Sequence, residues 1–468
     1  MRQLLLAWPV TLNATENSRI DVREERPLLE TKRPSLKVSF SWTFIGNVVY
    51  GACQWAMVMV LAKLGNPEQV GEFALGLAVC TPIWLFSNLH LREVQATDAK
   101  RECRFGHYLA LRLATAAAAM AAISVITYAI GYRQQMARII LLVGLMRGLE
   151  AFADVFYGLL QQHERMDRIS KSLLMKGPLA LLGFCLGFYL TRSVPWGVAC
   201  AAVGMILVLA IYDARGSALV VNATSGAWQN APTRRLKSFA IPKPHWDAQK
   251  LSKMASLALP LGLVTSLSSL NSNIPRYFVE HYWGRRELGI FATMSYLLLA
   301  GTAVVIALGQ AASSRLAHYY ASGNRAAFAG LLLKLVAIGS LLGLSGVIAV
   351  ITAGQPLLQL FYGSEYVGNN DVFLWLMIAA GIGYVGTFLS YAMMAARFFK
   401  VQLPLFLFVA IVSFLGSAWL VPRVGLLGAA MALVMAMITQ TVGSFAIVYL
   451  ALVRQTVPVS VRQKCAAI

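Results

Sequence analysis

Leu64-Gly65-Asn66-Pro67-Glu68-Gln69-Val70-Gly71-Glu72-Phe73-Ala74 is a polar turn between two apolar runs, at about 39–63 and 70–91. Each run has the roughly 20 residues that a helix needs to cross a hydrocarbon core. The theme returns at Gly284-Arg285-Arg286-Glu287-Leu288-Gly289-Ile290-Phe291-Ala292, again between long apolar runs. A second echo pairs Trp196-Gly197-Val198-Ala199 with Leu427-Gly428-Ala429-Ala430. Two echoes in register point to a duplicated chain whose halves are related by an axis along the membrane normal, with a cavity between them.

Working outward, apolar stretches fall at about 39–63, 70–91, 106–131, 136–161, 170–191 and 195–214, then at about 253–279, 287–312, 328–353, 371–396, 400–421 and 424–452. The expected architecture is an all-α integral membrane protein of about twelve transmembrane helices in two pseudo-symmetric six-helix lobes. The lobes are 39–214 and 253–453, joined by a polar linker at 215–252 and flanked by tails at 1–38 and 454–468. Twelve spans place both termini on one side. Of 40 Lys and Arg, 28 fall in the tails and even-numbered loops, seven in the odd-numbered loops and five inside spans. This bias puts both termini in the cytoplasm.

Composition excludes most other classes. The 468 residues are 58% hydrophobic and 13% charged, with a mean hydropathy of +0.64, whereas soluble domains carry about 25% charge. A soluble chain has too little interior for that much apolar surface. The net charge of +20 reads as positive-inside topology facing an anionic leaflet, not as a nucleic-acid patch. Six scattered cysteines give neither a disulfide framework nor a zinc site. There is no phosphate-binding Gly-x-x-x-x-Gly-Lys loop, and no cofactor or metal is implied.

At these residues the chain resembles the polysaccharide exporters, the O-antigen and exopolysaccharide lipid flippases of the multidrug/oligosaccharidyl-lipid/polysaccharide superfamily. The resemblance rests on the turn Leu64-Gly65 to Gly71-Glu72-Phe73, on Asp154-Val155-Phe156-Tyr157-Gly158-Leu159-Leu160-Gln161 with Glu164-Arg165-Met166-Asp167 after it, and on Phe361-Tyr362-Gly363-Ser364-Glu365-Tyr366. It covers residues 40–455, although the first tail and the 215–252 loop are longer than such exporters need. It implies a bacterial inner-membrane transporter whose two lobes open alternately to each face. Its substrate would be an undecaprenyl-diphosphate-linked oligosaccharide, its other partners membrane lipids and polysaccharide-assembly membrane proteins.

The strongest polar signal lies in the 136–161 span, where Arg147, Glu150 and Asp154 share one helical face near mid-membrane. Arg147 would meet a substrate phosphate, with Glu150 or Asp154 exchanging a proton or ion; the competing reading is a self-neutralising triad. Arg112, Lys176, Arg276 and Lys334 would extend the cationic lining for a diphosphate. For Arg112, Lys176 and Lys334, snorkelling to the headgroups competes with that role. Asn47, Gln54, Asn271 and Asn273 are candidate sugar contacts, against a role as interhelical glue. Two rivals to a flippase remain at this stage: a cation-coupled multidrug antiporter of the same superfamily, and a membrane polymerase or ligase, which the short outer loops disfavour.

Overall fold

The computed structural model describes residues 36–97, 103–163, 165–216, 243–396 and 398–454. Most of both tails and of the 215–252 linker therefore lie outside the described residues. What is described is helical: α1 Leu36–Leu64, α2 Pro67–Asn88, the short α3 Leu91–Thr97, α4 Phe105–Ala129, α5 Gln134–Gln162, α6 Met166–Thr191 and α7 Val194–Val208. After the linker come α8 Ala248–Leu297, α9 Leu299–Ala321, α10 Arg325–Phe361, α11 Asn370–Ala395, α12 Phe399–Val424 and α13 Leu426–Arg454.

Among the described residues nine helices are long and apolar enough to cross a membrane, or ten if the bent α8 is one span. The expected spans at about 136–161 and 287–312 are not among them, for physical reasons. The first is α5, 29 residues long but diluted by Arg138, Arg147, Glu150 and Asp154. The second is interrupted, because the helix that follows Gly284 breaks at Leu298 and restarts as α9. Large apolar side chains such as Leu190, Leu333 and Leu341 stand exposed on the outside. That is what a bilayer-facing surface requires, since lipid is as apolar as leucine.

The opening turn folds as its residues dictate. Asn66 caps α2 by accepting the Gln69 N–H at 2.9 Å, and the Gln69 side chain accepts the Asn66 N–H in return. Pro67 occupies the first helical position, where its missing N–H is not needed. The later echo turns differently: Gly284 takes φ 84°, ψ −178°, a conformation open to glycine and strained for other residues.

Both echoes occupy equivalent places. Val70, Phe73 and Ala74 are buried, and so are Leu288, Phe291 and Ala292. At the heart of the crossing, α2 meets the post-Gly284 part of α8 glycine to glycine. A Cβ on Gly71 would strike the Arg285 carbonyl, and a Cβ on Gly289 would strike the Pro67 carbonyl. Arg285 lies four residues before Gly289 as Pro67 lies four before Gly71, so the contact is reciprocal. The second echo opens α7 and α13, and in each case the glycine packs on the helix before it. Gly197 sits on Phe184 and Phe188 of α6, Gly428 on the Leu420 carbonyl of α12.

Candidate functional site

The inward face of α5 supplies the first part of the site. Arg147 and Glu150 form an ion pair at 2.6 Å, with side chains 26% and 23% exposed. Glu150 also accepts from the Tyr50 hydroxyl and, at 3.1 Å, from Gln54 Nε2, which donates to Tyr50 Oη at 2.9 Å as well. One carboxylate thus collects three donors from two helices, and α1 is fixed against α5.

The second half contributes Arg276. Its Nη1 donates to Asn273 Oδ1 at 3.3 Å, and its guanidinium stands 6.0 Å from the Tyr296 ring centroid. Tyr296 is also an electrostatic neighbour of Arg147. Arg276 thus stands over a ring that also lies within electrostatic range of Arg147, an arginine from the other half of the sequence. Each arginine keeps a buried Nε without a partner among the described residues. Arg276 has no carboxylate partner among them, so its charge is uncompensated while that of Arg147 is balanced by Glu150.

The remaining candidates divide. Asp154 does not bond to the Arg147 pair but meets Arg92 at 3.6 Å; Arg92 donates to Gln161 Oε1 at 3.0 Å and lies over the Tyr157 ring. The triad on one helical face is thus a pair plus a separate carboxylate. Arg112 is fully buried and closes the end of α2, donating to Asn88 Oδ1 at 2.8 Å and to the carbonyls of Ser87 and Asn88. Lys176 is sealed in an ion pair with Asp213 at 3.4 Å, the two side chains 3% and 0% exposed, and donates to Tyr157 Oη at 2.8 Å. Neither phosphate contact nor snorkelling describes Arg112 or Lys176 in this conformation, because each is already enclosed by partners. Lys334 stands on the exposed side of α10 beside Leu333, where snorkelling is the simpler account.

Asn47 and Gln54, both candidate sugar contacts on α1, serve different ends. Gln54 holds Glu150, whereas Asn47 donates to the Thr43 carbonyl of its own helix at 2.8 Å and lines a cavity of about 400 Å³. That space lies between Thr43, Phe44, Asn47 and Val48 of α1 and Ala303, Ile306, Ala307, Gln310 and Ala311 of α9. Asn271 is buried and donates to the Phe406 carbonyl at 3.3 Å, so it joins α8 to α12; Asn273 orients Arg276.

Sequence reasoning missed the closure at the opposite end. Glu72 is almost fully buried, pairs with Arg285 at 3.3 Å and accepts from Gln135 Nε2 at 3.4 Å. Tyr277 Oη reaches the Ala78 carbonyl at 2.5 Å, and Trp55 Nε1 donates to Tyr362 Oη at 2.8 Å. With the Gly71–Gly289 crossing, these contacts tie the halves together around the two echoed turns. The signal was available: Glu72 is an acid inside an apolar run, where Ile290 fills the equivalent place in the repeat. Tyr50, Arg92, Asp213 and Tyr296 gave no such signal, because only the fold brings their partners near.

The fold is that of a multi-pass membrane protein, in bacteria one of the inner membrane, and it is shared by solved transporters of the multidrug/oligosaccharidyl-lipid/polysaccharide superfamily. The chain superposes on an inward-facing multidrug resistance MATE family transporter of that superfamily with a TM-score of 0.67, at 14% identity over 89% of this chain and 96% of that one. The lipid II flippase MurJ, in an inward closed conformation, gives 0.66 at 11% identity over 89% of each chain. By sequence the chain is similar to the capsular polysaccharide biosynthesis protein CapF of Staphylococcus aureus, 26% identical over 397 residues, 84% of this chain and 94% of that protein. No family model matches the chain.

Proposed function

We propose that the protein is a flippase that carries a polyprenyl-diphosphate-linked oligosaccharide from the cytoplasmic to the outer leaflet. The observation that carries this reading is the pair Arg147 and Arg276, one from each half of the sequence, each with a buried Nε that meets no partner among the described residues. A buried charge is costly unless it has work to do, and guanidinium groups match phosphate oxygens with two parallel hydrogen bonds. The similarity to a capsular polysaccharide biosynthesis protein supports a saccharide cargo. Two lobes, 39–214 and 253–453, rock about the cavity, and the conformation described is closed around the echoed turns, which the basic loops assign to the outer side. Ion coupling falls to Glu150, whose proton would compete with Arg147 for the carboxylate; Asp154 serves the Arg92 contact instead. Membrane lipids and other polysaccharide-assembly membrane proteins are the expected neighbours, and no catalytic step is assigned to the chain.

The deciding experiment uses a deletion strain and a membrane-impermeant reagent that modifies sugars. Lipid-linked repeat units protected from the reagent, with surface polymer lost, are the expected result. Units freely modified from outside would overturn flipping and point to polymerisation or ligation. If no lipid-linked sugar accumulates, the antiporter reading takes over and drug sensitivity of the strain becomes its test.

A further inference from the structure

One part of the molecule is not used by the transport reading. Where the described chain resumes within the expected linker, residues 243–247 run as a strap across the start of α4 before α8 begins. The His245 N–H donates to the Gly106 carbonyl at 2.9 Å. The approach is so close that a Cβ on Gly106 would strike the His245 ring and the Lys243 carbonyl. Between strap and helix lies a cavity of about 400 Å³ lined by Arg104, His107, His245, Trp246, Asp247 and Lys250.

The chemistry of this lining is one-sided. His107 is only 5% exposed, and its Nδ1 accepts the Arg104 N–H at 3.1 Å. In the neutral ring the proton must then sit on Nε2. That N–H has no acceptor among the described residues, on a ring that lines the cavity. The His245 ring stands 5.7 Å from it, centroid to centroid. Arg104 and Lys250 add two cations, and α4 and α8 both begin beside the cavity, so their free N–H groups add positive potential. The one acid, Asp247, already accepts the Lys250 N–H at 3.2 Å and lies 3.8 Å from Lys250 Nζ. Donors and cations exceed acceptors, which is the composition of an anion site.

We propose that this cavity binds a phosphate group through the His107 Nε2–H, Arg104 and Lys250. Its source is the headgroup of an anionic phospholipid, with no choline cation to be repelled by Arg104 and Lys250, or free phosphate. Trp246, 63% exposed at the rim, favours the headgroup, since indole rings settle at the membrane–water interface. The site stands independently of what the central cavity transports, and its failure would leave the flippase reading untouched.

The test uses the purified full-length protein, with thermal unfolding followed on adding phosphatidylglycerol, phosphatidylcholine or inorganic phosphate. Phosphatidylglycerol is expected to raise the unfolding temperature where phosphatidylcholine does not. The double variant R104Q/K250Q should bind it about thirtyfold more weakly, at about 1 kcal/mol per basic residue near a charged surface. Should the double variant fail to fold, Lys250→Gln alone, at an exposed position, should still weaken binding several-fold. Protection by inorganic phosphate equal to that by the lipid also supports the site and names free phosphate as its source. Equal protection by phosphatidylcholine, no protection by any of the three, or variants that bind as the wild type does would overturn the proposal.

Discussion

Arg147 and Lys176 are both basic residues inside the helical bundle, and their surroundings give them opposite fates. Arg147 remains partly exposed, with a buried Nε unpartnered among the described residues, so its substitution should act on transport. Arg147→Gln is expected to lower transport of the lipid-linked sugar by at least tenfold, since hydrogen bonds to a charged group contribute about 1.5–3 kcal/mol. Arg147→Lys should recover only part, because an ammonium is a point charge without the planar fork. Both are read from surface polymer and from the leaflet that holds the precursor. Lys176 is enclosed with Asp213, and its loss should act on stability. Lys176→Met is expected to cost about 3–5 kcal/mol by stranding a buried carboxylate, and K176M/D213L to restore most of that. Thermal unfolding of the two variants in detergent measures the difference, and equal loss in both would contradict the pairing.

Elements were more legible in the sequence than contacts. Apolar length located most helices, and the capped turn at Asn66 follows from its residue types. α5 is readable as a helix too, but its share of charge leaves it outside the apolar spans, and the break at Leu298 has no local breaker to announce it. Contacts between helices have no periodic signature, so Arg147 could be paired with Glu150 on one helix, but Glu150 could not be paired with Tyr50 and Gln54 of another. For the same reason Arg112 and Lys176 read as free cations when neighbouring helices had already enclosed them. The Gly71–Gly289 crossing yields a test at this scale. Gly71→Val or Gly289→Val must separate α2 from α8, because the obstruction is backbone carbonyl and cannot rotate away. A single cysteine at Phe73, in a background without the native six, should then become several-fold more reactive to an external maleimide. A shift of about 1.4 kcal/mol between closed and open forms is worth tenfold in their ratio. Unchanged labelling would mean the crossing is not what closes this end.

At the scale of the whole molecule, the contacts around the echoed turns hold the halves together while the cavity between α1 and α9 lies toward the end where α1 begins. Glu72 and Arg285 are the charged members of that closure. Neutralising either should favour the open form, since a buried carboxylate or guanidinium left alone is costly. Exchanging them in E72R/R285E should return much of the closed population. Distance measurements between spin labels on the two turns would report both effects, and a swap no better than the single changes would remove the pair from the closure. The reciprocal glycine contact has a consequence for ancestry. Gly71 on Arg285 and Gly289 on Pro67 is an isologous arrangement, the pattern by which two identical subunits meet about a dyad. A duplication that gave rise to the two echoes would make this closure a former homodimer interface kept within one polypeptide, with Glu72, opposite Ile290, as its asymmetric position.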